Sequence, residues 1–254
     1  MRNYLTLILI LIPASFIIGQ SNLDQSFPVS KSNDSLVRIG ITQIENKNYK
    51  KAKSTLEKAV KKAVINPAGS YYLGICENNM FRSNHLRQKD AIKSLTDAIS
   101  HDNLNPKYFW RRGLVYFGMI EYRLALVDFD RAISLNPNIP EYYFYRGNCL
   151  IALTTYDADS IGLAKCALAD FDKFESLATG DTIATDLIRW NYYYKAVAYK
   201  IIGQDSLSQT AISEFKRLNQ TKMFDSFEIT WGVFPIGICR MDDRVFIRKK
   251  NNCN

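Results

Sequence analysis

An alanine, a large apolar residue and a third apolar residue recur along the chain at a spacing of four and then three positions. Residues at this spacing lie on one face of an α-helix, because 3.6 residues complete a turn. The five copies are Ala52-Leu56-Ala59, Ala91-Leu95-Ala98, Ala125-Phe129-Ala132, Ala167-Phe171-Phe174 and Ala211-Phe215-Leu218. The pattern predicts five helices that each bury one apolar stripe.

A small residue precedes each of these helices in the sequence. The five are Gly40, Gly74, Gly113, Gly147 and Ala196. We interpret each as a position in a first helix that closely approaches the second helix, with Gly113 and Ala125 as the points of contact in the third pair. The separation is 12 residues in the first and third pairs and 17, 20 and 15 in the others. The extra residues are expected between the two helices, as a longer loop or helix end.

The clearest unit is Pro106 to Pro137, and it resembles the tetratricopeptide repeat. The residues at that family's offsets are Gly113, Tyr116, Ala125, Phe129, Ala132 and Pro137. The resemblance covers about Ser32 to Gln220. It implies an all-α fold, a TPR-like α-solenoid in which about five helix pairs form a right-handed superhelix. The helical period is lost in the last 34 residues, where we expect a short irregular or β-hairpin cap around Asp242 and Asp243.

The N-terminus has the features of a secretory signal peptide. Arg2 precedes the apolar stretch Tyr4–Ile12, and small residues follow up to Gly19. An uncleaved membrane anchor is the alternative, since the uncharged run from Asn3 to Leu23 approaches the ~20 residues that span a bilayer. The predicted organisation is a signal peptide (1–19), a polar tether (20–33), a repeat domain (34–220) and a capping tail (221–254). We expect an exported, periplasmic or extracellular protein.

The composition is that of a globular protein, with 47% apolar and 23% charged residues, and it excludes a disordered or polytopic membrane chain. The five cysteines are an odd number, so one thiol stays unpaired within the chain in an oxidising compartment. Cys239 and Cys253 in the tail are the candidate disulfide. Cys76, Cys149 and Cys166 fall within helical patterns and are expected to be small buried thiols.

The sequence offers no support for catalysis. His85 and His101 are its two histidines, and it contains no nucleophile elbow, zinc-protease motif or phosphate-binding loop. We therefore expect a protein that is not an enzyme and that has no cofactor or metal site. The aspartates of the second helices, which are Asp128, Asp130, Asp170 and Asp172, are expected on outer, solvated faces. Arg111, Arg112 and Arg146 could meet an acidic partner or form a solvated edge.

The net charge of +8 is concentrated in two places. They are the first unit's second helix, with Lys47, Lys50, Lys51, Lys53, Lys58, Lys61 and Lys62, and the tail, with Arg240, Arg244, Arg248, Lys249 and Lys250. A solvated outer face is the simplest interpretation, and contact with an anionic membrane or glycan surface is the alternative. The basic tail is thus a candidate for contact with a membrane surface. Nucleic acid is not an expected partner of an exported chain.

The resemblance implies a protein-binding scaffold whose first helices line a concave groove for a peptide or helix of a partner. Three positions before the small residues stand Val37, Tyr71, Trp110, Phe144 and Tyr193, and one position after them stand Ile41, Ile75, Leu114, Asn148 and Val197. The hypothesis is an aromatic-lined groove in which Asn148, Asn78 and Asn79 bond a peptide backbone. The alternative is that the rings pack against neighbouring repeats.

Two other functions remain open from the sequence. One is a membrane-anchored structural component of an envelope assembly, with the basic tail near lipid. The other is a glycan-binding module with Trp110, Trp190 and Trp231 as sugar platforms, which requires those rings to be exposed together.

Overall fold

The computed structural model describes residues 34–63, 65–80, 85–178 and 182–218. Within these ranges the regular structure is ten α-helices with no strand. They are α1 (Ser35–Glu45), α2 (Tyr49–Lys62), α3 (Pro67–Met80), α4 (His85–His101), α5 (Pro106–Gly118), α6 (Tyr122–Leu135), α7 (Pro140–Leu153), α8 (Ser160–Leu177), α9 (Thr182–Ile201) and α10 (Asp205–Leu218). The predicted signal peptide, tether and C-terminal cap lie outside the described residues.

The helices pack as pairs of sequence neighbours. Contacts join α1 to α2, α3 to α4, α5 to α6 and α9 to α10, and first helices also contact the next first helix, α1 to α3 and α3 to α5. This neighbour pattern is that of a TPR-like α-solenoid, so the predicted all-α fold class is confirmed. The described helices belong to two compact units, one within Asp24–Cys149 and one within Leu150–Asn254.

The small residues allow close approach within the pairs. A Cβ atom added to Gly113 would lie 2.7 Å from Phe129 Cε1 and 3.2 Å from Asp128 Cβ. The large ring of Phe129 thus covers Gly113, and the contact predicted between Gly113 and Ala125 stays a prediction. Gly40 packs on Leu56 and Gly74 on Leu95 in the same way. Every residue of the recurring second-helix pattern is buried except Leu218, which is half-buried.

The turns between paired helices repeat one backbone conformation. Lys47, Ile120 and Gly203 each stand seven residues after the small residue of their pair, and their φ angles are 57°, 67° and 77°. This left-handed region favours glycine and is strained for a β-branched side chain such as that of Ile120. In the second and fourth units the extra residues lengthen the second helix: α4 has 17 residues and α8 has 18, against 14 in α2, α6 and α10.

Side-chain caps fix where several helices begin. Asp34 Oδ1 accepts a hydrogen bond from Leu36 N at the start of α1, and Asn105 Oδ1 accepts one from Lys107 N at the start of α5. Pro106 occupies the first turn of α5, where its missing N–H costs nothing. The loop before each first helix thereby sets the start of the helix that carries the predicted groove positions.

Candidate functional site

The aromatic side chains predicted to line the groove lie mostly inside the protein. Within the unit that contains α1 to α6, Trp110 and Phe144 are fully buried and Tyr71 is 7% exposed. Trp110 packs against Tyr142 with ring centroids 5.8 Å apart, and Tyr71 packs against Tyr108 at 4.9 Å. In this conformation Trp110 and Phe144 offer no surface to a partner, and their rings fill the space between successive first helices.

Tyr193 belongs to the unit formed by the C-terminal helices. It is half-buried and contacts Trp190 at 5.8 Å and Phe215 at 5.5 Å, so the three rings form one cluster between α9 and α10. Trp190 is half-buried in that cluster, Trp110 is buried, and Trp231 lies outside the described residues. A set of tryptophan rings exposed together, as a sugar platform requires, is thus not formed by Trp110 and Trp190.

Two of the three predicted asparagines are buried polar groups, and the third, Asn79, is half-buried. Asn78 is 5% exposed and Asn148 is 4% exposed. Asn148 Nδ2 donates a hydrogen bond to Phe144 O at 2.9 Å, one turn earlier in α7, whereas Asn148 Oδ1 accepts none. A buried acceptor without a donor costs about 1–3 kcal/mol. Asn148 therefore holds an unused acceptor at one of the positions predicted to face a peptide.

Asp128 and Asp170 are buried, 2% and 3% exposed, which corrects the expectation that both are solvated. Asp128 precedes the buried Phe129 and accepts hydrogen bonds from Arg112 Nε at 2.9 Å and Nη2 at 2.7 Å. Burial raises the pKa of Asp128, and the Arg112 guanidinium only partly offsets this. Asp130 and Asp172 are exposed as expected. Arg111 is also buried, so it is not a solvated edge.

A second buried ion pair joins three helices of the first unit. Glu77 on α3 is 4% exposed, Lys53 Nζ lies 2.9 Å from its Oε1, and Ser94 Oγ on α4 donates to its Oε2 at 2.8 Å. Burial alone would lower the pKa of Lys53, but the hydrogen bond and charge of Glu77 raise it. Lys53 thus stays charged, and the network fixes α2, α3 and α4 against one another.

The cysteines differ in their chemistry. Cys76 is buried and donates from Sγ to Tyr49 O at 3.0 Å, and burial raises its pKa to about 12, so the thiol is protonated and not nucleophilic near neutral pH. Cys149 is a buried thiol as expected. Cys166 on α8 is disulfide-bonded, which corrects its prediction as a buried thiol. The candidate pair Cys239 and Cys253 lies outside the described residues.

Among the described residues, no cluster of three or more His, Cys, Asp or Glu side chains could bind a metal ion. Among the same residues, no helix has both the length and the apolar character needed to span a bilayer.

Comparison with known proteins agrees with the fold. A family described as tetratricopeptide repeat matches residues 34–61. A crystal structure of MamA protein superposes with a TM-score of 0.58 at 19% identity, covering 79% of this chain and 96% of the other. YrrB, described as a TPR protein with an unusual peptide-binding site, superposes with a TM-score of 0.57 at 16% identity, covering 81% and 94%. The chain thus contains a match to the tetratricopeptide repeat at residues 34–61 and shares the fold of these two repeat proteins.

Proposed function

We propose that the chain is an exported scaffold that binds a peptide or helix of a partner protein in the groove of its first helices. Three observations support the proposal. They are the repeat fold, the peptide-binding site named for the structurally similar YrrB, and the unused acceptor of Asn148. The last is an observation on the chain's own side chains, and it carries the proposal.

The chemistry of Asn148 favours an extended peptide. A backbone N–H supplies the donor that Oδ1 lacks, and a buried hydrogen bond of this kind fixes the register of the bound segment. Asn78 is a second buried asparagine in the same unit. We place the first contacts at these two residues. Tyr71, Trp110, Phe144 and Tyr193 come into contact only if their side chains rotate out of the packing described above.

Replacing Asn148 with leucine tests the proposal. The substitution removes an unpaired acceptor and a donor whose partner, Phe144 O, is a helix carbonyl, so the thermal midpoint should stay the same or rise. Affinity for peptides selected on the wild-type protein from a displayed library should fall about tenfold, the value of one hydrogen bond of about 1.4 kcal/mol. Asn103→Leu, at an exposed loop position, is the matched control.

The result that opposes the proposal is equal affinity of Asn148→Leu and wild-type protein for every selected peptide. A fall in affinity that is accompanied by a fall in the thermal midpoint would also oppose the proposal, because Asn148 would then stabilise the fold. Retained stability with lost binding is the combination that a groove residue should give.

Export is supported by the N-terminal sequence and by Cys166. Disulfides persist in oxidising compartments outside the cytosol, and Cys166 is disulfide-bonded. Mass spectrometry of the chain recovered from its native envelope tests this proposal. A mature N-terminus near residue 20 supports export and cleavage. An intact Met1 in a detergent-dependent fraction supports instead the membrane-anchored structural component with its basic tail, Arg240 to Lys250, near lipid.

A further inference from the structure

Helix α2 differs in charge from every other second helix. It contains six lysines and a single glutamate, Glu57. The sequences of α4, α6, α8 and α10 carry nearly equal numbers of acidic and basic residues. The positive charge of the described repeats is thus not spread along the array but collected on one helix of the first pair.

The lysines of α2 form one surface. Ala52, Leu56 and Ala59 are fully buried and mark the inner side of the helix. Five lysines occupy the outer side and are exposed: Lys50, Lys51, Lys58, Lys61 and Lys62. They span ~18 Å along the axis, at 1.5 Å per residue. We call these five side chains the lysine face. Lys53 is excluded from it, because its ammonium group is engaged by Glu77.

Helix stability does not explain the lysine face. Lys50 and Lys51 stand in the first turn of α2, which has no acidic residue, and cations at this end oppose the helix dipole. Lys58 and Lys62 form a like-charge pair four residues apart, which is also unfavourable. By contrast, α10 has Asp205 in its first turn. Lys61 and Lys62 in the last turn of α2 suit the helix dipole, but Lys50, Lys51 and the Lys58–Lys62 pair do not stabilise the helix.

An apolar residue accompanies the lysine face. Ile65, three positions after Lys62, is 63% exposed in the loop that follows α2. A row of exposed ammonium groups beside an exposed isoleucine matches the chemistry of a lipid headgroup layer. Lysine carries a point charge without the fork of arginine, so it suits mobile phosphates better than a fixed geometry. Each lysine near an anionic bilayer contributes about 1 kcal/mol.

We propose that the lysine face, with Ile65 at its end, docks the protein on an anionic phospholipid surface. The site is distinct from the peptide groove, which is formed by first helices. Docking would leave the groove open while the outer side of the first pair rests on the membrane. A soluble polyanion is the competing occupant, and the experiment separates the two.

The test measures binding of the full chain to vesicles. Two kinds of vesicle are compared: phosphatidylcholine alone, and phosphatidylcholine with about 30% phosphatidylglycerol. The quantity is the apparent binding constant for the anionic vesicles divided by that for the neutral vesicles. Because the wild-type protein and every variant carry the same N-terminal segment, the contribution of this segment cancels when their ratios are compared. The test variant changes the five lysines of the lysine face to glutamine, which retains helix propensity. The matched control changes Lys89, Lys93, Lys165, Lys173 and Lys216, all exposed on other second helices, to glutamine.

The ratio for the test variant should fall about 100-fold at ~0.1 M salt, if roughly three lysines reach the lipid surface at once. The matched control should change it by less than about threefold, and ~1 M salt should abolish the wild-type preference. Ile65→Ser should weaken binding to both kinds of vesicle. Circular dichroism should show unchanged helicity in every variant.

Three results would overturn the proposal. The first is an unchanged ratio in the test variant, and the second is an equal loss in the matched control, since net charge alone would then act. The third is a wild-type ratio near one combined with lysine-face-dependent binding to heparin beads, which would assign the surface to a soluble polyanion. None of these results depends on whether Asn148 binds peptides.

Discussion

Replacing Gly74 with alanine should separate two helices of the first unit. A Cβ atom at this position would lie 2.6 Å from Leu95 Cγ and 3.1 Å from the backbone oxygen of Ala91. Ordinary carbon contacts are ~3.5–4.0 Å, so the gap is short by about 1 Å. Leu95 is fully buried and the second obstacle is backbone, so neither can move aside locally. Helices α3 and α4 must therefore shift apart.

Two opposing terms set the size of the effect. Overpacking a buried site by one methyl group costs about 1–3 kcal/mol. Replacing glycine with alanine inside a helix returns about 1 kcal/mol through helix propensity. We expect a net loss of up to about 2 kcal/mol, which lowers the thermal midpoint by up to roughly 8 °C in a domain of this size.

Gly118 supplies the matched control within the same fold. It is exposed at the end of α5, and a Cβ atom there would come no closer than 3.9 Å to Gln88 Nε2. Gly118→Ala should therefore be neutral or stabilising by up to about 1 kcal/mol. Urea unfolding followed by circular dichroism measures both variants. If Gly74→Ala is as stable as Gly118→Ala, close helix approach is not the reason for glycine at this position.

Two further substitutions follow from buried charge and backbone strain. Arg112→Leu leaves Asp128 buried without its guanidinium, and we expect a loss of about 3 kcal/mol at pH 7 in urea unfolding. Without Arg112 the pKa of Asp128 would rise further above its value in the unfolded chain, so protonation of Asp128 favours the folded state. The loss of stability should therefore shrink as the pH falls towards that pKa. A loss of stability that does not depend on pH would contradict this. Ile120→Gly should raise the thermal midpoint. The φ of 67° at this position costs a β-branched residue about 1–2 kcal/mol, and the side chain of Ile120 is half-exposed, so its removal loses little burial. A lower thermal midpoint would refute the strain argument.

The fold was predictable because its packing rule is local. Each helix pair needs a small residue in one helix and a large apolar residue in the other, and this requirement appears at fixed spacing in the sequence. Gly74 and Leu95 show the rule at atomic distance. Helix lengths were less predictable, since extra residues between Gly147 and Ala167 can extend a loop or a helix with equal ease.

The buried charges escaped sequence reasoning for a physical reason. Periodicity places Asp128 beside the inner stripe of α6, but it cannot show that Arg112 of another helix reaches this carboxylate. Glu77 is similar, because its partners Lys53 and Ser94 come from two other helices. Ion pairs between helices depend on rotamers and on the pairing of elements, and no single-helix pattern records either.

The predicted groove shows where periodicity stops being informative. A first helix contacts its own second helix and the neighbouring repeats, so most of its circumference is buried: in α5, residues 108–111 are all buried. An aromatic stripe at helical spacing then carries no information about whether its rings face a neighbour or a ligand. A buried acceptor without a hydrogen-bond donor does carry information about a ligand, because packing alone gives no reason to bury such an acceptor. By that criterion the unused Oδ1 acceptor makes Asn148 a site candidate at a position that the repeat register predicted.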